Sequence, residues 1–246
     1  MVIAGAGTGK TRVITKKIEW LIQEAGYEPF SILAMTFTNK AAREMKERVE
    51  QMAPEASSAT IGTFHSVCAN WLRGFAPRLG FASSFSILDQ DDQKRLMKLV
   101  VKQKTTGLDA REIDKKAGTA VNRVQALGRE GIRANPSTPM EPGEEWLLPV
   151  LLQFEEEKRN SNALDFNDLL LCMYELLTED DEAREMMSDR YRYVLIDEFQ
   201  DTNTLQLMLV RLIVGDGTGL CVVGDDDQSI YGWRGAKIEN MLNLNR

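Results

Sequence analysis

Ala4-Gly5-Ala6-Gly7-Thr8-Gly9-Lys10-Thr11 is the stretch whose reading decides the fold. Glycines at every second position let a backbone curl until consecutive N–H groups point inward, and such a row cradles phosphate oxygens. The cradle would be formed by Gly5, Ala6, Gly7, Thr8 and Gly9. Lys10 would reach the β- and γ-phosphates, and the Thr11 hydroxyl would hold a Mg²⁺ ion. The helix that follows would aim its positive end at the same anion. The strict pattern GxxxxGK[ST] has glycine where Ala4 stands. The competing reading is a glycine-rich turn that merely joins a strand to a helix; the Gly-Lys-Thr that opens the helix argues against it.

Outward from the loop, strands and helices alternate. Met1-Val2-Ile3 reads as the end of a β-strand, so the chain is expected to start inside an element, because a parallel strand usually runs ~5–6 residues. Apolar Val13, Ile14, Ile18, Leu21 and Ile22 recur at helical spacing from Thr11 to Ala25, and Gly26 ends that run. Ser31 to Thr36 reads as a buried strand, Lys40 to Met52 as a helix, Ala59 to Thr63 as a strand and Phe64 to Phe75 as a helix. The alternation stops near residue 85. Helices are expected from Asp89 to Lys104, from Asp109 to about Leu127 and from Glu144 to Arg159, with a proline-rich loop over 131–143. Alternation resumes with helices over 164–177 and 179–188, a strand from Tyr191 to Ile196, a helix from Thr202 to Val214 and a strand from Leu220 to Val223. Such alternation implies an α/β fold with a mostly parallel sheet. The expected organisation is an α/β domain in two parts, 1–84 and 164–246, interrupted by a helical subdomain over 85–163.

Composition narrows the function. Hydrophobic content of 43% suffices for a packed core. No apolar run approaches the ~20 residues of a membrane span, and no signal peptide is visible. Cys68, Cys172 and Cys221 are widely spaced, which argues against a zinc site or disulfide framework and suits a reducing cytoplasm. His65 is the only histidine. Net charge is −7, but residues 93–133 hold 11 basic and 4 acidic side chains, so +7. A local basic surface can bind phosphates on an acidic molecule; it can equally be a solvated helical face.

Further strand ends carry chemistry. Asp197 and Glu198 follow a hydrophobic strand, and in a parallel sheet the carboxyl ends of strands line the ligand crevice. Asp197 would reach Mg²⁺ and Glu198 would orient or deprotonate a water. The alternative is an acidic pair that caps the next helix together with Asp201. Gln228, after another strand, could hold water or report on a γ-phosphate. Tyr231, Trp233 and Arg234 suit stacking on unpaired bases, or the two aromatics pack in a core. Thr36, Phe37, Thr38 and Asn39 sit at one strand end and Thr63, Phe64 and His65 at another, where hydroxyls and amides could bind phosphate or sugar. A lone histidine is more often a packed residue than a catalyst, so His65 is read as a contact.

Taken in order, Ala4 to Thr11, Thr36-Phe37-Thr38-Asn39-Lys40-Ala41-Ala42, Thr63-Phe64-His65-Ser66, Leu164-Asp165-Phe166-Asn167-Asp168-Leu169, Asp197 to Asn203 and Gly224 to Ala236 resemble the motifs of the UvrD/Rep/PcrA helicases of superfamily one. The RecB and AddA relatives share Asp-Glu-Phe-Gln-Asp but usually vary Asp-Asp-Asp-Gln-Ser. The family often has Tyr where Phe199 stands. The resemblance implies a RecA-like P-loop NTPase domain with an all-helical insertion. It implies ATP and Mg²⁺ as cofactors, single-stranded DNA and its duplex junction as partners, and movement 3′ to 5′ with unwinding. Lys10, Thr11, Arg12, Asp197, Glu198 and Gln228 would serve ATP and Mg²⁺. Phe37, Thr63, His65, Tyr231, Trp233 and Arg234 would line the single-strand track. The family's upstream adenine-recognising glutamine and its second motor domain are expected to lie outside these residues, so this stretch alone is expected to bind nucleotide weakly and to unwind little. A P-loop kinase and a short DNA- or partner-binding module are the competing functions.

Overall fold

The protein is seen as a computed structural model that describes residues 1–3, 5 and 9–225. Two compact units divide the chain, Met1–Trp71 with the segment from Tyr174 onward, and Leu72–Met173. The first is built on a parallel sheet. Strands β1 (Val2–Ile3), β2 (Ile32–Thr36), β3 (Thr60–Thr63), β6 (Tyr193–Ile196) and β7 (Gly219–Gly224) stand in the order β1-β7-β6-β2-β3. Every pairing is parallel. β6 and β7 are thus inserted between β1 and β2. The end of β1 therefore lies beside β7 and one strand from β6, although both lie about two hundred residues further along the chain.

Patterning explains why these segments settle here. Helix α1 (Lys10–Gln23) buries Ile14, Ile18 and Leu21, one stripe at helical spacing, against β2, β6 and β7. β2 is buried along its whole length, as a central parallel strand must be. Each such aliphatic side chain removed from water contributes about 1.5–3 kcal/mol. Helix α2 (Asn39–Met52) adds Met45 and Val49 to the same core, and Thr38 caps it by accepting from Ala41 N at 3.1 Å. Gly219 is required where β7 starts: a Cβ there would lie 2.3 Å from the Tyr193 ring opposite.

The second unit packs α4 (Gln90–Lys104), α5 (Ala110–Arg129) and α6 (Leu147–Asn160) around Met97, Val100, Ala117, Ala120, Leu147 and Phe154. Asp109 and Glu112 close a reciprocal cap on α5. The expectation of helices alone needs correction here. A two-stranded parallel sheet pairs β4 (Ser86–Leu88) with β5 (Ala163–Asp165). The reason lies in Asp165, which accepts from Asp168 N at 3.0 Å while Asp168 accepts from Asp165 N at 2.9 Å. That mutual cap starts α7 at Phe166, so Leu164 remains extended and α7 runs Phe166–Glu179. The start of α3 (Phe64–Phe75) in the first unit is fixed in the same way by Thr63 and Ser66.

Behind the Asp165 cap lies a buried ionic network. Lys158, 2% exposed, donates to Asp168 at 2.6 Å and Asp165 at 3.1 Å and pairs with Glu155 at 2.9 Å. Arg133 bridges Glu155 at 2.8 Å and Asp168 at 2.7 Å, and Gln93 donates to Asp165 at 2.9 Å. Burial opposes the charge on Lys158, but the three carboxylates outweigh it and hold the ammonium more basic than usual. No helix among the described residues is long and apolar enough to cross a membrane.

Candidate functional site

The start of α1 meets the ends of β6 and β7 in the first unit. Gly9 stands before α1 with φ +90, a conformation that suits glycine. No side chain caps α1, and its first turn holds no acidic residue. The helix start thus lacks the usual side-chain N-cap, and the helix dipole favours an anion there. Lys10, 8% exposed, donates to Asp225 at 2.8 Å. Asp225 follows β7 directly and is itself 1% exposed. The Thr11 hydroxyl donates to Asp197 at 3.4 Å at the tip of β6.

Asp197 is buried, and burial, with the adjacent charge of Glu198, pushes its carboxyl up to about 6. The bonds from Glu198 N and Thr11 and the nearby Lys10 act in the opposite direction. Such a carboxylate is short of positive charge. Together the uncapped helix start, the buried ammonium and the hydroxyl beside an under-compensated carboxylate fit a polyphosphate carried with a divalent cation. Glu198 sits in the left-handed region, φ 51 and ψ 43, uncommon for a residue with a side chain. Its carboxylate accepts from Gln200 Nε2 at 2.8 Å. Gln200 in turn accepts from Asp225 N at 3.0 Å, so one amide ties the two strand tips together. The helix-capping alternative for Asp197 and Glu198 is not what these side chains do. The next helix, α9 (Thr204–Ile213), is capped by Asn203 and Gln206.

The structure brings Lys10, Thr11, Asp197 and Glu198 into this cluster. Arg12 is exposed on the outer side of the same helix turn, and Gly5 is exposed in the loop. Ala6, Gly7, Thr8, Gln228, Tyr231, Trp233 and Arg234 lie outside the described residues. Asp225 and Gln200 were not singled out from sequence. The available signal was the position of Asp225, directly after a hydrophobic strand, as with Asp197.

The second pair of strand tips, β2 and β3, carries Phe37, Thr63 and His65. Phe37 is half-buried, edge-on to Phe64 with ring centroids 6.4 Å apart. Thr63 is 6% exposed and its hydroxyl is engaged with Ser66. Burial lowers His65 to about 4, so it presents a neutral ring at neutral pH. Two of the hydroxyls read as phosphate or sugar contacts have other positions: Thr38 caps α2, and Thr36 is buried, 1% exposed.

The basic segment is exposed in part. Lys94, Arg95, Lys102, Lys104, Arg111 and Lys115 face solvent. Lys98 is paired with Asp114 at 2.6 Å, Lys116 lies 3.7 Å over the Trp146 ring, and Arg133 is turned inward to the ionic network. Among the described residues no group of three or more His, Cys, Asp or Glu side chains could hold a metal by themselves. The three cysteines are free thiols, and burial pushes Cys68 up to about 12.

Comparison with known proteins agrees with this geometry. The family model for the UvrD/REP helicase N-terminal domain matches residues 1–246. The chain is 38% identical over 249 residues to an ATP-dependent DNA helicase PcrA of Staphylococcus aureus, covering 100% of this chain and 34% of that protein. It is 40% identical over 251 residues to a probable DNA helicase II homolog of Mycoplasma capricolum, again covering 100% and 34%. The chain thus spans about a third of the length of the curated relatives it matches. With a parallel sheet and acidic strand tips beside the start of α1, the chain belongs to the UvrD/REP helicase N-terminal domain family.

Proposed function

We propose that this chain is the nucleotide-binding half of an ATP-driven DNA motor, whose parent couples hydrolysis to 3′-to-5′ movement on single-stranded DNA and to duplex unwinding. The observation that carries the reading is the meeting of Lys10 with Asp225 and of Thr11 with Asp197 at neighbouring strand tips. Lys10 serves as the phosphate-binding cation, held at the loop by Asp225. Thr11 and Asp197 would hold Mg²⁺, which when bound would supply positive charge against the phosphate oxygens. Glu198, held by Gln200, orients the attacking water and takes its proton. Gln228 completes the set as a γ-phosphate contact, and the amides of Gly5, Ala6, Gly7, Thr8 and Gly9, with Arg12, line the nucleotide. The strand tips of β2 and β3 face the polynucleotide through Phe37, Thr63 and the neutral His65, joined by Tyr231, Trp233 and Arg234. The exposed lysines of α4 and α5 lie toward the phosphates of the duplex junction.

The test is ATP hydrolysis by the full-length protein with and without a single-stranded oligonucleotide. Stimulation by the oligonucleotide, weakened in Trp233→Ala, is the expected result. A rate indifferent to DNA in the native protein would leave a nucleotide hydrolase or kinase without a DNA track.

A further inference from the structure

Thr36 is a buried polar side chain at these strand tips, 1% exposed, whose hydroxyl meets no partner among the described residues. Threonine is a poor choice for such a position if nothing ever meets the hydroxyl, because valine has the same shape without the desolvation cost. Its place in the sheet suggests what does meet it. Thr36 pairs in register with Thr63 on one side. On the other side the register runs Met35 to Ile196, and Asp197 N donates to Met35 O at 2.9 Å, so the next position along is Asp197. Register partners in a parallel sheet present their side chains on the same face, about 4.8 Å apart. Asp197, Thr36 and Thr63 therefore form one polar row across three adjacent strands. One end of the row is the Thr11 and Asp197 pair, and the other is Thr63, locked to Ser66 at the start of α3.

We infer that Thr36 is a positioning residue that couples the nucleotide end of this row to its polynucleotide end, its hydroxyl donating to Asp197 when nucleotide is bound. The inference rests on the function proposed above. With the bond made, the β2 tip carrying Phe37 and the cap of α2 is tied to the occupancy of the β6 tip.

The test uses the full-length protein and measures oligonucleotide affinity by fluorescence anisotropy, with and without a non-hydrolysable ATP analogue. For coupled sites the two affinities differ by a factor on the order of 5–150. In Thr36→Val that factor should fall toward one, while Thr36→Ser, which keeps the hydroxyl, should retain it. The melting temperature of Thr36→Val without ligands should be equal or higher, since only an unpartnered hydroxyl is lost. A Thr36→Val protein that keeps the native factor overturns the inference alone. A native factor of one, or no oligonucleotide binding, removes the functional reading and this inference with it. Loss of the factor in Thr36→Ser as well as in Thr36→Val also overturns it, because the hydroxyl is then not what matters.

Discussion

Two polar clusters in this protein are equally buried and very differently satisfied. In the second unit Lys158 is met by Asp165, Asp168 and Glu155, and Arg133 closes the ring from the other side. At the strand tips of the first unit Lys10 has Asp225, yet Asp197 is left short of positive charge, Thr36 has no partner among the described residues and Glu198 is held in a left-handed conformation. The first arrangement is complete without any ligand. The second is a set of groups whose best partners come from elsewhere. Incomplete satisfaction at comparable burial separates a binding site from an architectural knot, because an unmet buried polar group costs stability that only a function would maintain.

Substitutions should therefore act on different observables in the two regions. The largest effect is expected for Glu198→Gln. Removing a general base costs roughly 10²–10⁴ in rate, so hydrolysis by the full-length protein should fall by that amount. Nucleotide affinity and melting temperature should stay near native. Hydrolysis at the native rate would mean that another group activates the water. Lys158→Ala should do the reverse. Breaking a buried ion cluster by removing one partner costs about 3–5 kcal/mol, to be read in denaturant unfolding, with nucleotide affinity unchanged in the protein that remains folded. A neutral result would show that the ring is solvated rather than closed.

A smaller effect comes from His65. Its folded value of about 4 lies below the unfolded 6.5. Above 6.5 both states are neutral and the stability associated with this ring is fully present. As pH falls from 6.5 toward 4 the unfolded chain binds the proton first, and that stability is lost. His65→Gln should flatten this part of the pH–stability curve, and an unchanged slope would contradict the burial of the ring. The smallest effect is expected at the surface. Lys40→Ala removes an exposed pair with Glu44, 3.9 Å apart, and should shift stability by less than about 1 kcal/mol.

How far the sequence could be read follows the range of the interactions. The apolar stripe of α1 and the run of β2 are local patterns, and each appears within a residue or two of where the spacing places it. Helix starts were legible where they are local, as at Asp89 and Asp109, which cap α4 and α5. The pairing of Lys10 with Asp225 was not, since 215 residues separate them and nothing near either residue names the other. The same holds for Gln200, whose amide joins two strand tips only because β6 and β7 are neighbours. Strands β4 and β5 are three residues each, too short for a two-residue period to register. Leu164 continues the apolar pattern of α7, and only the mutual cap of Asp165 and Asp168 reveals that the helix starts later.

The central claim is that α1 and the β6 tip act on one ligand, and the most direct test is the effect of Mg²⁺ on nucleotide affinity in the full-length protein. It should be measured for the native chain, Thr11→Val, Asp197→Asn and the double variant. The account predicts that Mg²⁺ tightens nucleotide binding in the native protein, that either substitution removes most of that gain, and that the double variant loses little more, as for two groups holding one ion. A gain from Mg²⁺ that survives Asp197→Asn intact would contradict it.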